Sequence, residues 1–418
     1  MKLVQAPASR PGASDEYRTA FVVATGVFAT TLSQIEVLDL PVRQLLQTRF
    51  EASPEQTALF FAAAGAPWFF KPVAGLLSDS VPLFGTHRRH YLMLCATVAA
   101  ALWLAVGQFS HVYVLLLAAL VAMNAALVIA STVVGGLIVE KSRQSGSAAW
   151  LVSARGLVEG ACVLLAGPLS AKLAGIPFEA AAFVGAAIAF SAVPAAFFWL
   201  AEPRVAGVKH SILSDGLQEL RAIAGSRSVW IAALFLLCVC LPQTFPTVLY
   251  FHQTTTLKFP IADIGYLNAA SGAGNLLAPV IYLRLCRRFE PRRLLCAAVA
   301  GGAIGTAIHL FYGSYDAALA IHLLSGILNN LSFLAVMELA VWATPVGAAA
   351  AGFALLMSAW NIGGSVGDVL GAHIAHGWSG GFLYLVATYA LFALLPLGAI
   401  RFLPRGMFDH VAPSQTTP

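Results

Sequence analysis

The feature that most constrains this chain is the recurrence, from end to end, of apolar blocks about 20 residues long with almost no charge inside them. A helix of about 20 residues rises roughly 30 Å, the thickness of a bilayer's hydrocarbon core. No soluble surface is built from such a chain: 10% of its residues are charged and 59% apolar, whereas soluble domains carry roughly a quarter charged residues. No polar stretch is long enough to fold as a separate aqueous domain. The expected fold class is therefore an all-α polytopic membrane protein forming one membrane domain.

Blocks bounded by charge clusters, Gly or Pro fall near 18–40, 56–78, 90–109, 112–139, 147–173 and 178–201. After a polar stretch from Glu202 to Ser228 they resume near 229–252, 263–285, 292–312, 315–342, 347–374 and 380–403. The count is twelve, as six plus six. It divides the chain into an N-terminal six-helix half (1–201), a cytoplasmic linker (202–228), a C-terminal six-helix half (229–403) and a cytoplasmic tail (404–418). The polar segment from Arg43 to Glu55 is expected to cap the first span. Met1 to Tyr17 is polar, with Pro7, Pro11 and Gly12, and lacks the apolar core and cleavage site of a signal peptide, so the first block is expected to be retained.

Orientation follows from Lys and Arg, which accumulate in short loops kept in the cytoplasm. With the N-terminus inside, Arg43, Arg49, Lys172 and Lys258 fall outside, Lys71 and Arg155 fall within spans, and the rest of the 24 basic residues fall on the cytoplasmic side. Both termini are then cytoplasmic. The net charge of +5 reads as membrane topology, and no nucleic-acid partner is expected. All six cysteines lie in or beside apolar blocks, where they read as small buried hydrophobes and not as a disulfide framework.

The loop between the second and third spans reads PWFFKPVAGLLSDSVPLFGTHRRHY from Pro67 to Tyr91. Its Gly75, Asp79, Gly85, Arg88 and Arg89 resemble the loop signature of the major facilitator superfamily. More narrowly, Trp68, Lys71, Pro72, Gly75, Ser78, Asp79, Pro82, Gly85 and Arg89 resemble the folate-biopterin transporter family. Ala354, Leu355, Met357, Ser358 and Asn361 resemble that family's penultimate helix. Thr86 and His87 depart from the pattern, and the corresponding loop in the second half, Arg284 to Arg293, is degenerate. The resemblance implies two pseudo-symmetric six-helix halves that rock about a central site. It also implies a latch at the cytoplasmic helix ends, where Asp79 pairs with Arg88, Arg89 or Arg143 in one conformation and releases them in another. The alternative for the two arginines is topology alone.

A charge at mid-bilayer costs at least ~2.5 kcal/mol on insertion scales, so each requires a partner or water. Arg155 and Glu159 are four apart on one helical face and can neutralise each other; alternatively Arg155 holds an anionic group of the solute while Glu159 orients it. Lys71, before Pro72, reads as a structural counter-ion and gating residue near exposed carbonyls. Glu36, in the outer part of the first span, reads either as an interfacial carboxylate or as the leading protonatable coupling site. Asp368, seven residues after Asn361 and so on the same face, reads as the second, with Glu159 a further coupling candidate; that face is expected to line water, with Asn361 contacting the solute.

In the superfamily the cavity is lined chiefly by spans one, four, seven and ten. Here these carry Gln34, Asn124, Gln243 with Thr244, and Asn329 with Asn330. Such amides suit the flat donor-acceptor edge of a pterin, with Phe245 or Trp360 to stack on its face; helix–helix hydrogen bonding is the competing use. Gly156-x-x-x-Gly160 and Gly363-x-x-x-Gly367-x-x-x-Gly371 carry little weight in a chain with 36 glycines. His373 and His376 lack a third ligand nearby, so no metal is expected, and no phosphate loop points to ATP. No nucleophile–base motif appears, and neither an enzyme nor a cofactor is expected. The resulting expectation is a monomeric, lipid-embedded secondary transporter of a small folate- or pterin-like solute, coupled to protons, in a bacterial inner membrane. Its rivals are a transporter of another anionic or amphipathic solute, and a non-transporting assembly factor of the same fold.

Overall fold

A computed structural model describes residues 13–34, 36–145, 148–202, 216, 218, 221–344, 349–377 and 381–403, nearly all of them helical. Among them, ten helices are long and apolar enough to cross a membrane. Two more of similar length, Ala13–Ser33 and Ile261–Leu285, fall in the remaining gaps, and the order is compatible with twelve spans. Span one is Ala13–Ser33 continued by Asp39–Arg49, span two Pro54–Gly65 with Lys71–Ser80, span three Arg89–Gln108, span four Tyr113–Ser145, span five Ala148–Ala174, and span six Phe178–Phe190 with Ala192–Trp199. Span seven is Arg227–Cys240 with Pro246–Phe251, span eight Ile261–Leu285, span nine Pro291–Ala307, span ten Tyr315–Ala343, span eleven Ala349–Gly377, and span twelve Gly381–Phe392 with Leu395–Ala399.

Prolines and caps explain the breaks. Ser53 and Gln56 form a reciprocal capping box at the start of span two, with Pro54 in the first turn, where its missing N–H costs nothing. Pro67 and Pro72 then bracket a 3-10 stretch, Ala66–Phe70, because a proline cannot donate to the preceding turn. Span seven is broken in the same way by Pro242 and Pro246 and ends in one π turn, His252–Thr256. Span one departs from expectation. The segment expected to cap it is instead the helix Asp39–Arg49, with Arg43 buried inside. Arg43 is tolerated there because Asp39, one turn earlier, takes its Nε–H at 2.9 Å.

One hydrophobic core draws on residues from Ala20 to Leu200 and a second on residues from Ile223 to Leu403. Spans two with eleven and five with eight make the main contacts between these two sets. At the crossing of spans five and eight, a side chain on Gly167 would strike the carbonyl of Gly265 at 2.5 Å; glycine lets the backbones touch. The Gly363 and Gly367 spacing, of little weight in the sequence, does similar work within the second half. Cβ atoms there would meet the span-seven backbone at Leu237 and Leu241, at 3.1 and 2.2 Å.

Candidate functional site

A cavity of about 200 Å³ lies among spans one, two, four, five and eleven, with room for several waters. It is lined by Val27, Thr30, Thr31, Gln34, Trp68, Lys71, Ser131, Val134, Arg155, Glu159, Met357 and Asn361. Thus the fold brings together Gln34, Lys71, Arg155, Glu159 and Asn361 from the sequence-derived set. Arg155 directs both Nε and Nη2 at one oxygen of Glu159, at 2.9 and 2.8 Å. One of the two edges by which a guanidinium can grip a carboxylate bidentately, Nε with Nη2, is therefore engaged already. Lys71 has no carboxylate within ion-pair distance among the described residues. Its ammonium sits 5.5 Å from the centre of the Trp68 ring, an attraction of about 0.5–2 kcal/mol, and not on the broken-helix carbonyls anticipated for it. Two cations among the described residues thus face one carboxylate in a membrane-embedded cavity. Among the described residues, the side chains of Gln34, Ser131 and Asn361 have no protein hydrogen-bond partner, so they are available to water or a solute.

The other amides are used between helices. Asn124 is fully buried, accepting from Trp68 Nε1 at 2.9 Å and donating to the Leu120 carbonyl. Gln243 donates to the Val239 carbonyl and to Ser332 Oγ, and Asn330 to the Asn275 carbonyl at 2.7 Å. Asn329 lies against Gly305 of span nine with a buried, unpartnered Oδ1. Phe245, expected to stack on a solute, is instead 6% exposed and packs edge-on against His309, Phe382 and Tyr389. Trp360 packs edge-on against Phe333.

Asp368 is also not where its helical face suggested. It is 6% exposed and two turns along span eleven from Asn361 and the cavity. Its Oδ1 accepts the Thr247 backbone N–H at 2.9 Å and its Oδ2 the Thr247 hydroxyl at 2.6 Å. That hydroxyl in turn accepts from Arg43 Nη1 at 2.8 Å. The chain Asp39–Arg43–Thr247–Asp368 therefore joins span one to spans seven and eleven. Two further bonds bridge the same end: Gln47 to Thr254 at 3.3 Å and His373 to Glu55 at 2.9 Å. The side chain of Glu36 lies outside the described residues.

At the opposite, arginine-rich end, Gly136 makes room for the Arg88 guanidinium, which approaches Ser78 Oγ at 3.5 Å. Arg89 donates to the Phe197 carbonyl at 2.8 Å. The Glu202 carboxylate accepts the backbone N–H groups of His87, Arg88 and Arg89 at 2.8–3.2 Å; an anion there satisfies the open N-terminus of span three and its dipole. The side chains of Asp79 and Arg143 lie outside the described residues.

Sequence reasoning passed over Ser131, Arg43 and Thr247. Ser131 was within reach, since it lies seven residues after Asn124 and so on nearly the same face of span four. Arg43 and Thr247 gave no such signal, because what makes them notable is a contact across 204 residues of sequence.

A charged, water-sized cavity where spans one, two, four and five meet span eleven, in a bundle of apolar helices, is the arrangement of a membrane transporter of the major facilitator fold. Solved structures agree on that fold. The D-xylose-proton symporter superposes with a TM-score of 0.72 at 13% identity, covering 94% of this chain and 98% of that one. The nucleoside transporter NupG gives 0.71 at 11% identity, covering 94% and 99%. The chain belongs to the BT1 family, whose model matches residues 34–416. A folate-biopterin transporter of Synechocystis sp. is 25% identical over 390 residues, 88% of this chain and 78% of that protein. The probable folate-biopterin transporter 7 of Arabidopsis thaliana is 27% identical over 269 residues, 60% of each. The family and its structural neighbours are transporters, not enzymes.

Proposed function

We propose that this protein carries a folate- or pterin-like organic anion by alternating access about the cavity beside Lys71, Arg155 and Glu159. The observation that carries the reading is the charge balance: among the described residues, two cations against one carboxylate leave a net positive, water-sized site inside the membrane, which an anionic solute neutralises. Gln34, Ser131 and Asn361 add unpartnered donors and acceptors suited to a flat heterocyclic edge. The names of the curated relatives point to the same solute class.

In this reading the termini and the arginine-rich end are cytoplasmic, in a bacterial inner membrane, and a monomer suffices because one chain supplies both halves. The Asp39–Arg43–Thr247–Asp368 chain closes the outer end, with Asp368 the proton-coupling site and Glu159 or Glu36 its alternatives. Asp79, with Arg88, Arg89 and Arg143, latches the inner end; Asp79→Asn slows uptake while leaving solute binding in place. The primary test is uptake of labelled folate and biopterin into proteoliposomes, with and without a pH gradient. Uptake of neither, with another organic anion accumulated instead, replaces the substrate; indifference to the gradient removes proton coupling. Cysteines at Ser53 and Ser214 that label from the same side overturn the topology.

A further inference from the structure

We infer that Lys71, rather than Arg155, is the group that anchors the solute's carboxylate, and that Asn124 positions it through Trp68. The inference rests on the cavity being the solute site. Three observations carry it. Arg155 already directs two N–H groups at Glu159, whereas Lys71 has no carboxylate within 4 Å among the described residues. The Lys71 ammonium is held at 5.5 Å over the Trp68 ring, an aromatic face that steadies a cation without neutralising it. The indole is itself fixed, because its Nε1–H donates at 2.9 Å to Asn124, a fully buried amide whose nitrogen is tied to the Leu120 carbonyl.

An ammonium kept in place with no carboxylate in ion-pair distance among the described residues is a ready receptor for one carboxylate, since the ion pair forms without first breaking another. Asn124 thus has a use that its place in the sequence did not suggest. It sets the angle of the indole, and the indole sets where the ammonium waits. Lys71 is the anion-binding group; Trp68 and Asn124 are positioning residues.

The test is ligand-induced thermal stabilisation of the purified full chain by folate, p-aminobenzoylglutamate and biopterin, the last lacking a carboxylate. Lys71→Met is expected to weaken the two carboxylates on the order of tenfold, and biopterin less. Lys71→Arg should recover part of the loss. The double change Arg155→Leu with Glu159→Leu should cost the carboxylates less than Lys71→Met does. Asn124→Ala should weaken folate more than biopterin, a selectivity that mere loosening of packing does not produce; melting of each ligand-free variant separates misfolding from lost binding. Equal stabilisation of wild type and Lys71→Met, or a larger loss in the Arg155/Glu159 double variant, overturns the inference alone. If none of the three compounds stabilises the wild type, the cavity is not an organic-anion site and the proposed function falls with it.

Discussion

Arg43 with Asp39 and Arg155 with Glu159 share one local motif, an arginine and a carboxylate four residues apart on a membrane-embedded helix, yet the fold treats them differently. Arg43 and Asp39 are 5% and 29% exposed, whereas Arg155 and Glu159 are 35% and 41% exposed, so the clear difference lies in the arginine. Arg43 uses a second donor to reach Thr247 in the other half, and through it Asp368. Arg155 stays within its own helix, facing the cavity. Adjacent aromatics follow suit: Phe61 and Tyr250 cover the Arg43 guanidinium at 4.3 and 5.9 Å. An i, i+4 ion pair therefore says that a charge is tolerated and does not say why. Where the arginine is sealed the pair reaches across the halves, and where it is half-exposed the pair lines the cavity.

The largest effect is expected at the sealed pair. Arg43→Leu leaves the buried Asp368 and the partly exposed Asp39 without their cation, a loss of about 3–5 kcal/mol, most of it from Asp368, that should appear as a marked fall in melting temperature. An unchanged melting temperature would dissolve the contrast between the two pairs. At the cavity pair, Arg155→Leu and Glu159→Leu should show a coupling on the order of 1 kcal/mol in a double-mutant cycle, because water screens groups this exposed. A coupling as large as that of Arg43 with Asp39 would mean that both are structural.

The smallest change is the most specific to the sealed pair. Thr247→Val keeps shape but removes the hydroxyl linking Arg43 to Asp368, worth about 1 kcal/mol. If the chain holds the outer end shut, a cysteine at the buried Leu40, in a background without native cysteines, should react roughly fivefold faster. Leu40 packs with Tyr250 and Ile264 across the two halves, so only opening of that end exposes it. An unchanged rate would make the chain a packing feature with no part in gating.

What could be read from the sequence differs between these regions. Arg155 and Glu159 were visible as a pair because helical periodicity brings residues four apart together. Lys71 stood out as a charge inside an apolar block, but nothing local showed that no carboxylate among the described residues pairs with it, since that depends on contacts distant in sequence. Asn124, Gln243 and Asn330 looked like Gln34 and Asn361, five amides on apolar helices. Three of them turn out to be satisfied by other protein groups, Trp68, Ser332 and the Asn275 carbonyl among them, while Gln34 and Asn361 line the cavity. Asp368 and Asn361 share a face, yet a face is a stripe along the helix, and two turns separate a residue sealed against span seven from one lining the cavity.

By itself, then, the sequence determined the membrane class, the approximate order of spans, the arginine-rich end and the family, because each of these is written in local properties: block length, charge placement and contiguous motifs. Tertiary structure alone decided which charge is sealed and which lines the cavity, which amide is engaged and which is available, and that Lys71 lies over Trp68 with no carboxylate beside it among the described residues. Helical period fixes the side of a helix on which a residue lies. It does not fix which neighbour that side meets, and in the low dielectric of a membrane the neighbour decides whether a polar group holds the fold together or awaits a solute.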